Sequence, residues 1–191
     1  MNGILQAVPV TQVQFTDEFW APRIEINRTS TLPQCFHQCE ETGRIKNFEV
    51  AGRLVEGKFE GIYFNDSDVY KVVEGAAHIL ATQPDEQIED YLDQLISKFA
   101  AAQQDDGYLN TYYTLVEPDQ RWSNLPVMHE LYCAGHLFEA AVAYFRSTGK
   151  RTYWTLQLNL LTISMVSLVR INVLVYLATR RSNWPWSNYT R

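Results

Sequence analysis

The sequence predicts an all-α protein, and two observations carry this prediction. Apolar residues recur every three or four positions in four separate segments, which is the period of one face of an α-helix. Residues typical of helix ends, such as Asp85 and Gly149, stand at the borders of these segments. Long loops rich in polar and aromatic residues join them. Antiparallel helices with their loops gathered at one end indicate a helical toroid or a bundle, and a weak alternation at residues 10–15 adds one short N-terminal strand.

Composition limits the class of protein. A chain of 191 residues with 46% hydrophobic residues is long enough for a domain with a real core. The formal net charge of −6 argues against a nucleic-acid partner, because a phosphate backbone requires a basic surface. The first residues show no basic segment followed by a long apolar run, so the sequence predicts no secretory signal and a cytoplasmic location.

The first predicted helix lies in the N-terminal third of the chain. Thr29 or Ser30 suits its N-terminal cap, and Pro33 fits its first turn, where a missing N–H costs nothing. The helix is expected to end near Thr42, just before a glycine. Residues 48–64 contain several glycines and are predicted to form a mixed loop.

Two further helices follow that loop. Asp66 and Ser67 are good caps for a helix that ends near Thr82, and the next helix begins at Asp85. Asp106 and the glycine after it then mark a turn. The apolar faces of these helices are predicted to consist of Val69, Val72, Val73, Ala76, Ala77 and Leu80 in the first, and of Ile88, Leu92, Leu95, Ile96 and Phe99 in the second.

The fourth helix, predicted at residues 128–145, carries two distinct faces. Its apolar face is predicted to consist of Leu131, Ala134, Leu137, Phe138, Ala141 and Phe145. His129 and His136 are seven residues apart, so they lie on one side of the helix, in line with Tyr132 and Glu139. The residues alone leave two interpretations open: a histidine at the mouth of a pocket, or histidines that flank the helix and lie half-buried on its surface.

The three cysteines offer little chemistry. Cys35, Cys39 and Cys133 form no CxxC pair and no disulfide framework. Cys35 and Cys39 are four residues apart on a predicted helix, so their thiols could share a metal ion, or they could be buried free thiols.

The composition changes abruptly near residue 152. All 22 acidic residues precede this point, whereas the following segment has four arginines, no glycine and three of the five tryptophans. Residues 156–178 are apolar enough to suggest a membrane helix, but Arg170 lies in the middle of that span. We therefore interpret residues 153–191 as translated out of frame, and residues 1–152 as the true domain sequence.

A single lost base near codon 152 would produce this segment. In the shifted frame the genetic code forces leucine across codons 153–154, aspartate across codons 154–155 and glycine across codons 165–166. The translated segment contains no aspartate and no glycine, and leucine suits the apolar spacing of a helix. The shifted frame therefore continues the composition of the preceding chain.

Three short motifs resemble the N-terminal part of glycoside hydrolase family 127, the β-L-arabinofuranosidase family. They are Phe-Asn-Asp-Ser-Asp-Val-Tyr-Lys at residues 64–71, Gln-Asp-Asp-Gly-Tyr-Leu at residues 104–109, and His-Glu-Leu-Tyr at residues 129–132, which continues into Gly-His at residues 135–136. Phe19 and Trp20 add an entry motif. The resemblance covers residues 9–152 in order and spacing.

The resemblance implies an (α/α)6 barrel, incomplete in this chain, that is followed by β-sandwich domains. It also implies a retaining glycosidase that releases β-L-arabinofuranosyl or related sugars from plant or glycoprotein glycans. In that family a zinc-bound cysteine thiolate is the nucleophile, and a glutamate is the acid and then the base. Those residues lie beyond the region of resemblance, so the resemblance assigns this chain no catalytic residue and no metal ligand, and predicts that it is inactive and binds no zinc.

Substrate binding is the role that the resemblance transfers to this chain. His129 matches a family histidine that hydrogen-bonds the sugar, and a neutral imidazole can both donate and accept such a bond. Asp66, Asp68 and Tyr108 lie in family motifs near the pocket and are predicted to line it. Asp66 has a second interpretation, as the helix cap described above.

Other assignments remain open from the sequence. Another helical-toroid carbohydrate enzyme, such as an unsaturated uronyl hydrolase or a sugar epimerase, would use Asp or His without zinc. A non-catalytic helical protein anchored through residues 156–178 is the third alternative. A glycan is the expected partner, with no nucleic acid and no membrane, and a homodimer stays open as the assembly of the complete enzyme.

Overall fold

The computed structural model describes residues 8–153 together with residues 159, 160, 162 and 164. Most of this part is α-helical, and it contains no β-strand. Single turns of 3₁₀-helix lie at Val10–Gln12 and Pro118–Gln120. The α-helices are α1 (Trp20–Ile26), α2 (Leu32–Glu41), α3 (Arg44–Ala51), α4 (Asp66–Thr82), α5 (Glu86–Ala102), α6 (Thr111–Leu115) and α7 (Glu130–Thr148). The all-α class is therefore confirmed.

The short N-terminal strand predicted at residues 10–15 is wrong. Val10–Gln12 instead forms a turn, in which the Gln12 N–H donates to the carbonyl of Pro9 over 2.9 Å. A strand requires a neighbouring strand for its backbone hydrogen bonds, and the described part of this chain offers none. Weak alternation in an exposed segment was not enough to specify one.

The first helix starts earlier than predicted. Asp17 lies just before α1, and its carboxylate accepts hydrogen bonds from the backbone N–H groups of Phe19 (2.9 Å) and Trp20 (2.6 Å). One turn of π-helix, Asn27–Thr31, then joins α1 to α2 without a break. Thr29 lies inside this helix and donates its hydroxyl to the carbonyl of Glu25, so the cap predicted at Thr29 or Ser30 is wrong.

The predicted loop at residues 48–64 is shorter than expected, because α3 runs on to Ala51. The remaining loop is held by Asn47, which is 1% exposed. Its side-chain amide donates to the carbonyl of Glu60 (2.9 Å) and accepts from the N–H of Glu60 (2.9 Å). This paired contact fixes the approach of the chain to Tyr63 and Phe64, which lie at the candidate site.

The core lies between α4, α5 and α7, with α2 and α3 packed against them. Helix α4 ends at Thr82 and α5 follows the cap Asp85, as predicted. All the residues predicted for the apolar faces of α4 and α5 are buried, except that Val72 and Ile88 are partly exposed. The face of α7 is rotated slightly from its predicted position: Glu130, Cys133 and Tyr144 are buried, whereas Leu131 and Phe145 are only half-buried.

The core also includes the start of the segment predicted to be out of frame. Tyr153 is fully buried, and its ring lies 5.8 Å from Phe99 and 6.2 Å from Tyr144. Most of residues 156–178, the proposed anchor, lie outside the described residues. In the part that is described, none of the helices is both long enough and apolar enough to span a bilayer.

Candidate functional site

His129 stands at the junction between a long loop and α7, in an unusual backbone conformation. Its φ of 55° lies in the left-handed region, which few residues other than glycine adopt. The ring Nδ1 lies 2.5 Å from the carbonyl oxygen of Val127. Because a carbonyl can only accept, Nδ1 carries the proton, and in the neutral ring Nε2 remains as an acceptor. His129 therefore offers an acceptor atom to a ligand hydroxyl.

Aromatic rings surround His129 on several sides. The ring centroids of Phe64, Tyr63 and Tyr132 lie 5.0, 5.5 and 5.6 Å from the centroid of the imidazole. Tyr112 extends this cluster, 6.1 Å from Tyr63. These rings are partly exposed. Aromatic faces beside a hydrogen-bonding group give a surface on which the C–H face of a sugar can pack while its hydroxyls bind polar atoms.

The loop before His129 is tied to a buried carboxylate. Glu130 is 3% exposed, and its two oxygens accept hydrogen bonds from the Tyr108 hydroxyl (2.5 Å) and the Trp122 N–H (2.8 Å). Burial raises the pKa of Glu130 and the pKa of Tyr108. Trp122 also adopts the left-handed backbone region, with a φ of 61°. The segment from Trp122 to His129 therefore begins and ends with a residue in that region. The hydrogen bonds to Glu130 hold this strained segment in place.

Tyr108 is buried under the loop that precedes His129, where it contacts Trp122 and Glu130. It is 1% exposed, its ring packs edge-on against Trp122 with centroids 5.3 Å apart, and the guanidinium of Arg121 lies 4.2 Å above its centroid. The structure thus shows Tyr108 as a buried support of the loop and of Glu130. Its predicted role in lining the pocket stays a prediction.

Asp66 joins α4 to α6. Its carboxylate is 2% exposed and accepts hydrogen bonds from the backbone N–H (2.8 Å) and the hydroxyl (2.5 Å) of Thr111. Burial raises the pKa of Asp66 to about 6, although both hydrogen bonds oppose that shift. The prediction that Asp66 caps α4 is wrong, because Asn65 occupies the cap position and the Asp66 carboxylate bonds Thr111 instead.

Asp68 is the more accessible of the two predicted aspartates. It forms ion pairs with Arg44 (3.0 Å) and Lys71 (3.4 Å). The Lys71 ammonium also lies 5.0 Å from the ring centroid of Tyr132. Asp68 therefore lies in a polar network that reaches the aromatic cluster around His129.

Comparison with known proteins identifies the family. The family model of the β-L-arabinofuranosidase GH127 catalytic domain matches residues 12–162. The chain belongs to glycoside hydrolase family 127. The match ends at residue 162, within the segment predicted to be out of frame, nine residues beyond its predicted start at residue 153.

Relatives within family 127 support this assignment. The non-reducing end β-L-arabinofuranosidase of Bifidobacterium longum subsp. longum is 43% identical over 109 residues, which are 55% of this chain and 17% of that protein. A solved GH127 β-L-arabinofuranosidase from Geobacillus stearothermophilus T6 superposes with a TM-score of 0.76 at 43% identity, over 78% of this chain and 25% of that one. A second solved GH127 β-arabinofuranosidase superposes with a TM-score of 0.73 at 39% identity, over 80% of this chain and 26% of that one.

The chain therefore spans only about a sixth to a quarter of these family 127 proteins. The solved relatives have the (α/α)6 barrel, so the predicted barrel class is confirmed for the portion present. The family match also decides against the uronyl hydrolases and epimerases considered from the sequence.

The thiols of this family 127 chain do not suit a zinc site. Burial raises the pKa of Cys39 to about 11 and raises that of Cys133 well above its ordinary value, so both remain protonated. The Cys133 thiol lies 3.8 Å from the carbonyl of Phe64, to which it donates. In the described residues, no cluster of potential metal ligands includes a cysteine. Among the described residues, the cysteines therefore form no three-ligand group that could hold the zinc implied by the family.

The sequence predicted some residues of the candidate site and missed others. His129 and its neighbour Tyr132 were both placed on the polar side of α7, and their rings are in contact. Glu130, Trp122 and Tyr63 were missed. The acidic residue at the first position of a helix was an available signal for Glu130, but its bonds to residues 108 and 122 depend on tertiary packing.

Proposed function

We propose that this chain forms one wall of the sugar-binding pocket of a glycosidase that acts on β-L-arabinofuranosides. The observation that carries this proposal is His129, with its Nδ1 bonded to Val127 and its ring set among Tyr63, Phe64 and Tyr132. A furanose has hydroxyls to donate to Nε2 and C–H groups to pack on the aromatic rings. The β-L-arabinofuranosidase activity of the relatives supports arabinofuranose as the sugar.

Asp66, Asp68 and Tyr108 contribute to the same wall. Asp68 is placed to accept hydrogen bonds from a ligand at the accessible side. Asp66 and Tyr108 hold the segments that carry Phe64 and His129, through their bonds to Thr111 and Glu130. The proposal assigns direct sugar contact to His129, lining of the pocket to the more accessible Asp68, and support of the pocket wall to the buried Asp66 and Tyr108.

The catalytic steps of the family belong to residues that this chain does not contain. In the complete enzyme, zinc would hold and activate the cysteine nucleophile, as the family resemblance implies. No described residue here fits that role. We therefore propose that the 191-residue chain binds its sugar weakly and does not turn it over.

A chimeric enzyme tests this proposal. Residues 12–152 of this chain replace the matching segment of the Geobacillus stearothermophilus T6 enzyme, which is 43% identical and superposes closely. The chimera is expected to hydrolyse p-nitrophenyl β-L-arabinofuranoside, because its pocket wall comes from this chain and its catalytic residues from the parent. The 191-residue chain alone is the control and should release no nitrophenol. A folded chimera without activity, or turnover by the chain alone, would contradict the proposal.

We propose further that residues 153–191 are out of frame. The Tyr153 hydroxyl is buried without a hydrogen-bond partner in the described part of the chain, whereas the shifted frame reads a codon ending in TA at that position, which encodes Leu, Ile or Val and would bury no polar atom. Either frame places a large apolar group against Phe99, so burial alone does not distinguish them. Sequencing the gene across codon 152 is expected to show that one inserted base opens a longer frame. An intact single frame with no such alternative would rule the proposal out.

A further inference from the structure

A second cluster of polar residues lies on the outer face of α4 and α7. It contains Glu74 from α4 and His136 with Glu139 from α7, and one ligand atom of each lies within 4.8 Å of the other two. His136 and Glu139 are three residues apart, so both side chains leave the same face of α7. Metal sites between helices are commonly built from such a pair and a carboxylate on the facing helix.

The histidine of this cluster has a ring nitrogen that is buried and makes no hydrogen bond in the described part of the chain. This nitrogen is Nδ1 of His136. It lies 3.5 Å from Glu139 Oε2, but not in hydrogen-bonding geometry. Two ligands of one tetrahedral zinc ion, each bound at about 2.0 Å, are separated by about 3.3 Å. The observed separation is therefore close to that of two ligands of one ion.

The charges of the cluster are also uncompensated. In the described residues, neither Glu74 nor Glu139 forms an ion pair with a lysine or arginine, although Arg146 borders the same cleft. Among the ion pairs of the described residues, Glu74 has one with His78, with 3.8 Å between Oε1 and Nε2. The ring of His136 is held in place by Tyr132, with centroids 4.6 Å apart. Two carboxylates that pair with no lysine or arginine in the described residues, together with an oriented imidazole nitrogen, are a donor set that Zn²⁺ prefers.

We propose that Glu74, His136 and Glu139 bind a divalent transition-metal ion that cross-links α4 and α7. The three side chains supply one nitrogen and two oxygen donors, and a water molecule completes a tetrahedral shell. This site contains no cysteine, so it is separate from the zinc that the family resemblance implies. It is also independent of the proposed sugar-binding role of His129.

Metal titration of the purified 191-residue chain tests the site. Zn²⁺ is titrated in competition with a chromophoric chelator, and Co²⁺ is added separately for its visible spectrum. The wild-type chain should bind one equivalent with micromolar affinity, and bound ion should raise the temperature at which helicity is lost. Substitution of a residue that merely orients a ligand costs about 10–100-fold in affinity, so Glu139→Gln and His136→Ala should each cost at least about tenfold.

The chain offers a matched control on α2. His37 and Glu40 have the same spacing and are both exposed, but in the described residues they belong to no three-ligand cluster. The double variant H37A/E40Q should bind Zn²⁺ as tightly as the wild type. Glutamine at position 40 keeps an oxygen that can accept from the Tyr91 hydroxyl, now 2.9 Å from Glu40 Oε1. Glu139 is 64% exposed, so E139Q should fold normally, and circular dichroism verifies this.

Three results would overturn the proposal. The first is the absence of a one-equivalent binding event in the wild-type chain. The second is equal affinity in the wild type, E139Q and the H37A/E40Q control, which would identify the binding as adventitious. The third is a sulfur-to-cobalt charge-transfer band in the Co²⁺ spectrum, which would assign the ion to Cys35, Cys39 or Cys133 instead.

Discussion

Replacing His129 by alanine in the chimeric enzyme is expected to lower kcat/KM for p-nitrophenyl β-L-arabinofuranoside by about 100-fold, which corresponds to about 3 kcal/mol. The imidazole Nε2 is the acceptor that the structure leaves available, and its loss leaves a sugar hydroxyl without this partner. The measurement is steady-state kinetics on the purified chimera and its variants.

Two further variants separate the imidazole from the backbone. Alanine is strained at the φ of 55° that His129 adopts, so H129A alone could act through the loop. H129G removes the ring but relieves the backbone, and it should lose as much activity as H129A. His37→Ala on α2 is the control and should leave kcat/KM unchanged. If H129G retains the activity of the unsubstituted chimera, the ring makes no contact with the sugar and the proposed role fails.

Replacing Asp66 by asparagine is expected to stabilise the chain at pH 7 by about 2–3 kcal/mol, with no gain at pH 4. Burial raises the folded-state pKa of Asp66 from 3.8 to about 6. A group whose pKa is raised on folding contributes its full stability below its unfolded pKa and loses it as the pH rises through its folded pKa. The free energy of unfolding of the wild type should therefore fall, relative to that of D66N, between about pH 4 and pH 6.

Asparagine preserves the hydrogen bonds of this site. Its oxygen can accept from the Thr111 N–H, and its amide can donate to the Thr111 hydroxyl, so only the charge is removed. Asp66→Ala leaves both Thr111 groups without a partner and should cost about 2 kcal/mol at pH 4, where the aspartate is protonated. Urea unfolding at pH 4 and pH 7 measures all three proteins. Parallel pH profiles for the wild type and D66N would show that Asp66 is not titrating in this range.

Local sequence signals accounted for the helices that have strong ends and periodic faces. Asp85 caps α5 through hydrogen bonds to the N–H groups of Gln87 and Ile88, and Gly149 ends α7 with a φ of 74°. Both were identified because a cap acts within three residues of its own position. Helix α3 was missed since its ending at Gly52 resembles a loop, and only packing on α5 reveals its buried face.

The candidate site depended more on tertiary structure. His129 was found from its motif, but the sequence could not show that Asp66 turns away from its own helix to Thr111, 45 residues along the chain. The same limit applies to Glu130, whose two partners lie on a separate loop. A carboxylate near a helix start is compatible with capping and with a distant acceptor role, and only the fold decides between them.

The long-range hydrogen bonds around His129 and Phe64 also have a consequence for synthesis of the protein. Tyr108 meets Glu130 across 22 residues, Asp66 meets Thr111 across 45, and Cys133 meets Phe64 across 69. All of these partners leave the ribosome before the segment that follows α7. Because N-terminal units fold first during translation, the wall can assemble before a downstream catalytic region of a family enzyme has been made. The segments that carry Phe64 and His129 can thus be in place before any later helices pack against them.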